Sequence, residues 1–157
     1  ILTALPENPA AAVDRVTDAW QCCGALVHHL TAEAHDAVFA AVSHLPHLLA
    51  YALVNDIASK PHASLLFQYA ASGFRDFTRI AGSSPEMWRV ISLANKAALI
   101  DELDAYTAQL AQLRGMLVKG DGPAIEALFA RAQTARLNWI AAIEAAEQSK
   151  PFEQGGD

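Results

Sequence analysis

Three histidines and an aspartate lie within thirteen residues of an otherwise apolar segment, at His35, Asp36, His44 and His47. Burying such polar groups without partners costs about 1–3 kcal/mol each, so each must be hydrogen-bonded or functional. His44 and His47 are three residues apart, a spacing that can place two imidazoles on one helix face for a metal ion. Pro46 distorts that geometry, and no Glu or Cys stands at the spacing that a metal site would require.

Three interpretations of this histidine segment stay open at this point. In the first, the side chains bond to one another and to the backbone around the proline. In the second, they line or support a substrate pocket. The third is a small metal hydrolase built on the three histidines and the aspartate, although the further His and Asp ligands that such enzymes use in a set order are absent from the sequence.

Two arginines lie among aromatic residues a little further along the chain. Arg75 and Arg79 are four residues apart, so on a helix they share a face, and Asp76 can pair with one of them for less than about 1 kcal/mol. Arginine also matches a carboxylate with two parallel hydrogen bonds, which favours a site for an anionic ligand. Met87 and Trp88 follow, and the tryptophan on its own is more typical of a core than of a site.

The elements that must position these side chains are predicted to be helices. The composition is 53% hydrophobic and rich in alanine and leucine, with short β-branched runs, which favours packed helices over sheet. Thr31 and Ser84 are typical helix N-caps, and Pro46 suits the first turn of a new helix. A heptad seam of leucines and one tyrosine runs from Leu99 to Leu117. We therefore predict an all-α fold from Thr31 onward.

The first thirty residues differ from the rest. A short β-prone stub at Ile1–Thr3, an amphipathic helix closed by Gly24, and an extended segment over Ala25–Leu30 together predict a short βαβ remnant of an α/β domain. The segment contains no G-x-G-x-x-G motif, so it is not a phosphate-binding end of such a domain. Because the chain begins with Ile1 and lacks a leader-like segment, we expect a fragment of a longer protein.

Charge and cysteine content exclude several classes of partner. The 11 basic and 17 acidic residues give a net charge of -6, which argues against nucleic acid or anionic lipid as partners. His, Asp or Lys interrupts the apolar stretches before the roughly 18 residues that a membrane span requires, so we predict no membrane segment. The two cysteines are adjacent, at Cys22 and Cys23, which predicts no disulfide framework and a reducing, cytoplasmic location.

Three motifs resemble a known family in their order and spacing. They are H-D-A-V-F-A-A-V-S-H-L-P-H-L-L-A-Y-A-L at 35–53, G-F-R-D-F-T-R-I-A at 73–81 and P-E-M-W at 85–88, the last followed by Asn95. Together they resemble the C-terminal half of the prephenate and arogenate dehydrogenases of tyrosine biosynthesis, over roughly residues 1–148.

The resemblance implies a domain organisation. Residues 1–30 would end the dinucleotide-binding domain, 31–149 would form the helical dimerisation and substrate-binding domain, and 150–157 would be a flexible tail. The helical part would be an intertwined bundle similar to the C-terminal domain of 6-phosphogluconate dehydrogenase.

The resemblance also implies roles for individual residues. The family oxidises a cyclohexadienyl acid with NAD(P)+ while the ring carboxylate leaves as carbon dioxide. Arg79 would grip a substrate carboxylate, and His47 would lie near the substrate side chain. Pocket-wall roles are implied for Met87 and Trp88, and supporting or gating roles for Ser43, His44, His35 and Asp76. No residue of this chain is implied to be catalytic, to bind the cofactor or to hold a metal.

Partners and cofactor follow from the same resemblance. It implies a homodimer, a small dianionic substrate and tyrosine as a feedback ligand. NAD or NADP would be bound mainly by the N-terminal domain, so we expect this chain alone to be inactive. The remaining alternative is a non-catalytic helical module for dimerisation or regulation that shares the same scaffold.

Overall fold

The computed structural model describes residues 1–148, and this part of the chain forms eight α-helices. They are α1 (Ala10–Cys22), α2 (Ala32–Phe39), α3 (Leu45–Ala58), α4 (Ala63–Gln68), α5 (Ser72–Thr78), α6 (Pro85–Ala94), α7 (Lys96–Lys119) and α8 (Gly122–Gln148). A π-helical turn (Ala40–His44) joins α2 to α3, and a 3₁₀ turn (Arg79–Gly82) follows α5. The helical class predicted from the sequence is confirmed, and the predicted tail lies outside the described residues.

A π-helical turn leads into α3 just before Pro46, at which the sequence predicts a break or kink and the first turn of a new helix. The Thr31 hydroxyl accepts a hydrogen bond from the Ala34 backbone N–H at 3.1 Å and so begins α2 as predicted. The Leu45 N–H donates to the Ala40 carbonyl, five residues back. Pro46, which has no N–H to give, stands in the first turn of α3. The helix therefore continues through a turn that contains one extra residue. Such π-helical turns are frequent at functional sites.

Helix α6 begins as its sequence predicts. The Ser84 hydroxyl accepts a hydrogen bond from the Met87 N–H at 3.3 Å, and Pro85 occupies the first helical position. This cap fixes the register of α6, whose buried residue is Trp88.

The N-terminal segments pair less than the sequence predicts. A single parallel bridge joins Leu2 to His29, with the Leu2 N–H donating to His28 at 2.8 Å and the Leu30 N–H donating to Leu2 at 3.1 Å. Helix α1 connects the two segments and is followed by Gly24, whose φ of 80° favours glycine. Residues 1–148 contain no strand, because each of these short segments has only the other to pair with.

The structure divides into two compact units, Ile1–Ala105 and the part that begins at Tyr106. The division falls within α7, whereas the domain boundary proposed after residue 30 stays a prediction. The first unit holds the small hydrophobic core of Ala40, Leu45, Ala50, Trp88 and Leu99.

The second unit consists of the end of α7, a tight turn and α8. The turn contains Gly120 with a φ of 65°, and the Asp121 carboxylate accepts a hydrogen bond from the Ala124 N–H at 3.1 Å. Between residues 106 and 146 no side chain is buried, and Phe129 and Trp139 are 55% and 57% exposed. Two helices with such uncovered apolar faces lack a core of their own, so another surface must cover them.

The helical run Ala32–Ala58 is a candidate membrane span, although the sequence predicts no membrane segment. It has 27 residues, and an 18-residue window within it has a mean hydropathy of 1.6, so it is long and apolar enough to cross a membrane by length and composition alone. A core helix of a soluble protein meets the same criterion. This run carries the histidine segment and packs against α5 and the 3₁₀ turn. The absence of a membrane segment therefore stays a prediction.

Candidate functional site

His47 and Trp88 form the centre of the candidate site. Their rings stack with centroids 3.6 Å apart and an angle of 20° between their planes, which joins α3 to α6. The Nδ1–H of His47 donates to the Ser43 carbonyl oxygen at 2.9 Å. Ser43 therefore supports the imidazole through its backbone. Because a carbonyl oxygen can only accept, a neutral His47 carries its proton on Nδ1 and offers Nε2 as an acceptor.

His44 contacts Asn95, which is only 8% exposed. The Asn95 side-chain nitrogen donates to the Asp36 carbonyl oxygen at 2.8 Å and lies 3.2 Å from Nδ1 of His44. Burial lowers the pKa of His44, and the nearby His35 and His47 lower it further against the opposing effect of Asp36. The lowered pKa favours the neutral form of the His44 ring.

Trp88 contributes a buried hydrogen-bond donor. Its side chain is 8% exposed, and its ring lies edge-on to His44 with centroids 6.0 Å apart. The buried indole Nε1–H has no hydrogen-bond partner within residues 1–148. Such an unpaired donor costs about 1–3 kcal/mol, which an acceptor from a ligand or another chain would recover.

Arg79 begins the 3₁₀ turn that packs against α3. The Tyr51 hydroxyl donates to the Ser83 carbonyl oxygen at 2.7 Å and so ties the end of that turn to α3. The Arg79 side chain is exposed, and no carboxylate of the described chain lies within 4 Å of its guanidinium. An arginine in this state is available to an anionic ligand.

The neighbouring charges on α5 lie at the surface. Arg75 and Asp76 are 3.9 Å apart, and their side chains are 81% and 76% exposed. An ion pair of this length and exposure contributes little. The structure thus gives Asp76 a surface partner, and its gating role stays a prediction.

Two further predicted residues lie away from the stacked rings. His35 contacts the Asp36 carboxylate at 3.0 Å and packs on Phe39, with ring centroids 4.5 Å apart. Met87 is 48% exposed. It lines a different surface pocket from Trp88, because successive helical residues point about 100° apart. The structure therefore brings together His47, His44, Ser43 and Trp88, while the pocket-wall role of Met87 stays a prediction.

No metal cluster forms within residues 1–148. This part of the chain contains no group of three or more His, Cys, Asp or Glu side chains that could hold a metal ion. The Nδ1 atoms of His44 and His47 are already engaged, by Asn95 and by the Ser43 carbonyl. This geometry favours hydrogen-bonding roles for the two imidazoles.

Asn95 and Tyr51 belong to the motifs that carry the family resemblance, but the sequence analysis assigned neither of them a role in the site. Asn95 ends α6 as a lone amide within the apolar run I-S-L-A-N. A polar residue that is buried in such a run needs partners, and this was the available signal.

The fold and site define a helical domain in which α2, α3 and α6 hold a cluster of polar and aromatic side chains. The chain belongs to the prephenate dehydrogenase family. Residues 31–131 match the family model described as "Prephenate dehydrogenase, dimerization domain". The family resemblance found in the sequence is thereby confirmed.

Known relatives agree with this assignment. The chain is 38% identical over 139 residues to the cyclohexadienyl dehydrogenase of Zymomonas mobilis, and this alignment covers 87% of this chain and 47% of that protein. It is 34% identical over 137 residues to the prephenate dehydrogenase of Bacillus subtilis, and this alignment covers 87% of this chain and 36% of that protein. The chain thus spans half or less of the length of these relatives.

Solved structures are also similar. Prephenate dehydrogenase from Aquifex aeolicus, in complex with hydroxyphenyl propionate and NAD+, matches with a TM-score of 0.80 and 33% identity over 87% of this chain and 48% of that one. The arogenate dehydrogenase of Synechocystis matches with a TM-score of 0.77 and 25% identity over 87% of this chain and 50% of that one.

Proposed function

We propose that this chain is the C-terminal, substrate-binding and dimerisation part of an NAD(P)-dependent prephenate or arogenate dehydrogenase. The complete enzyme would convert prephenate to 4-hydroxyphenylpyruvate by oxidation and loss of the ring carboxylate as carbon dioxide. The observation that carries the proposal is Arg79, which has no carboxylate partner within residues 1–148 and lies on a turn packed against α3, the helix that presents His47 to Trp88. Kinetics of Arg79 variants, described in the Discussion, test it.

Arg79 and the group formed by His44, His47 and Trp88 would together supply the contacts that a dianionic substrate requires. The Arg79 guanidinium would replace the hydration that a carboxylate loses on entering the pocket. The stacked rings of His47 and Trp88 offer an apolar surface to the substrate ring, with Met87 at the rim. His44 and His47 would contact polar groups of the substrate, and Asp76 and His35 would act at the pocket entrance.

The residues of this chain do not fit a nucleotide. The 157 residues include no G-x-G-x-x-G motif, and the only pairing of extended segments in residues 1–148 is the Leu2–His29 bridge. We therefore assign NAD or NADP to the N-terminal domain of the complete enzyme. We also assign the enzyme to the cytoplasm, with tyrosine as a feedback ligand.

Isothermal titration calorimetry checks this assignment. The 157-residue chain should show no NAD+ binding at micromolar nucleotide and no dehydrogenase activity, because it lacks a loop whose backbone N–H groups cradle the phosphates. The full-length protein is the control and should bind. Tight NAD+ binding by the chain alone would contradict the domain assignment.

Trp88→Phe separates ligand binding from stability at the stacked ring. The variant keeps an aromatic ring but removes the unpaired Nε1–H, so we expect the melting temperature to stay level or rise. If the substrate accepts a hydrogen bond from this donor, KM for prephenate should rise about five- to tenfold. Steady-state kinetics and thermal unfolding of the full-length enzyme measure both. A lower melting temperature with unchanged KM would show that Trp88 is only a core residue.

A further inference from the structure

We propose that Asn95 is a positioning residue of the substrate site, which holds His44 as the Nε2–H tautomer and so makes it a fixed hydrogen-bond donor. The part of this inference that concerns substrate rests on the proposed function. The tautomer itself follows from the geometry of two side chains, Asn95 and His44, and the backbone carbonyl group of Asp36.

The Asp36 carbonyl oxygen fixes the orientation of the Asn95 amide. A carbonyl can only accept, so the amide atom 2.8 Å from it must be the nitrogen. That nitrogen has two hydrogens and no lone pair to offer, and it also lies 3.2 Å from Nδ1 of His44. Nδ1 must therefore be the acceptor, and the proton of the neutral ring lies on Nε2.

The contact is long-range and buried. Asn95 lies between α6 and α7, 59 residues from Asp36 and 51 from His44. One side chain thus joins the end of α6 to the fifth residue of α2 and to the last residue of the π-helical turn. With 8% exposure, water competes little for these hydrogen bonds.

His47 is held in the opposite tautomer. The Ser43 carbonyl takes the Nδ1–H of His47, which leaves Nε2 without a proton in the neutral ring. Two imidazoles three residues apart thus present complementary groups. His44 donates through Nε2–H, which suits a carboxylate or keto oxygen of the substrate, and His47 accepts through Nε2, which suits a hydroxyl group.

The electrostatic surroundings keep His44 in this state. The charged or titratable groups that act on it are His35 and Asp36 on α2 and His47 on α3, and burial is the largest cause of its lowered pKa. The neighbours from α6 and the α6–α7 junction, Trp88 and Asn95, do not titrate in this range. A proton on Nδ1 would also face the Asn95 amide as a second donor, which disfavours the charged ring.

Nitrogen-15 NMR of the full-length protein, with labelled histidine, tests the tautomer without substrate. We expect His44 to show a protonated, pyrrole-type Nε2 and a bare Nδ1, and His47 to show the reverse. The variants His44→Gln and His47→Gln assign the signals. A bare Nε2 on His44 in the unmodified protein would overturn the inference, whatever the variants show.

Asn95→Asp then tests the cause. A carboxylate of the same shape accepts from Nδ1, so the proton should move to Nδ1 or the pKa of His44 should rise, while the His47 signals stay unchanged as the internal control. KM for prephenate should rise about tenfold at a pH where His44 is neutral. An unchanged His44 signal would overturn the role of Asn95, and an altered signal with unchanged KM would overturn its link to substrate. Failure of the proposed function would leave the tautomers as expected but abolish the effect of Arg79 on KM.

Discussion

Replacing Arg79 with alanine in the full-length enzyme should raise KM for prephenate by about ten- to several-hundred-fold, with NAD+ affinity unchanged. Charge-assisted hydrogen bonds contribute about 1.5–3 kcal/mol each, and tenfold in affinity corresponds to about 1.4 kcal/mol. The guanidinium has no carboxylate partner within residues 1–148, so its loss breaks no ion pair there. The effect should therefore appear in substrate binding and not in stability.

Three variants serve as controls for Arg79. Arg79→Lys keeps the charge but loses the two-pronged geometry, so it should still be costly. Arg75→Ala removes an arginine four residues earlier that is 81% exposed beside Asp76, and it should leave KM unchanged. His47→Ala should raise KM less than Arg79→Ala. If KM is the same in Arg79→Ala as in the parent enzyme, Arg79 has a structural role and its assignment to the substrate is wrong.

Disrupting the exposed face of α8 should abolish dimerisation. We expect the protein to be a homodimer at micromolar concentration, because the second unit buries no side chain between residues 106 and 146. Phe129 is 55% exposed, and covering a side chain of this size contributes about 1.5–3 kcal/mol. Phe129→Asp would instead place an unpaired charge in the interface, so the dissociation constant should rise by two orders of magnitude or more.

Ala127→Asp is the matched control, since residue 127 lies about 200° around α8 from residue 129. It introduces the same charge on the opposite face and should leave the dimer intact. Sedimentation equilibrium measures the mass, and circular dichroism shows whether each variant is folded. An unmodified protein that sediments only as a single chain, or an equal effect of the two variants, would contradict an interface on this face.

Local signals in the sequence predicted the elements well. Thr31 and Ser84 cap their helices through their own hydroxyl groups, and the structure confirms both. The sequence predicted that Pro46 lies in the first turn of a helix, and it does. It did not predict the π-helical turn before the proline, which lets the helix continue past the missing N–H. The extended segments around Leu2 were predicted as strands, but strand pairing depends on neighbours that a local pattern does not show.

The candidate site was predicted only in part. Sequence motifs brought His47 and Trp88 together, and the structure shows them stacked at 3.6 Å. The resemblance gave pocket-wall roles to both Met87 and Trp88, which line different surface pockets in the structure, so the role of Met87 stays a prediction. Asn95 could not be assigned from sequence, because its partners lie 51 and 59 residues away and depend on the tertiary fold.

The most direct test of the proposed function is an assay of the full-length protein with prephenate and either NAD+ or NADP+. We expect the nicotinamide to be reduced only when prephenate or arogenate is present, with the decarboxylated aromatic product formed in equal amount. A folded, dimeric protein that reduces neither nucleotide with prephenate or arogenate would contradict it.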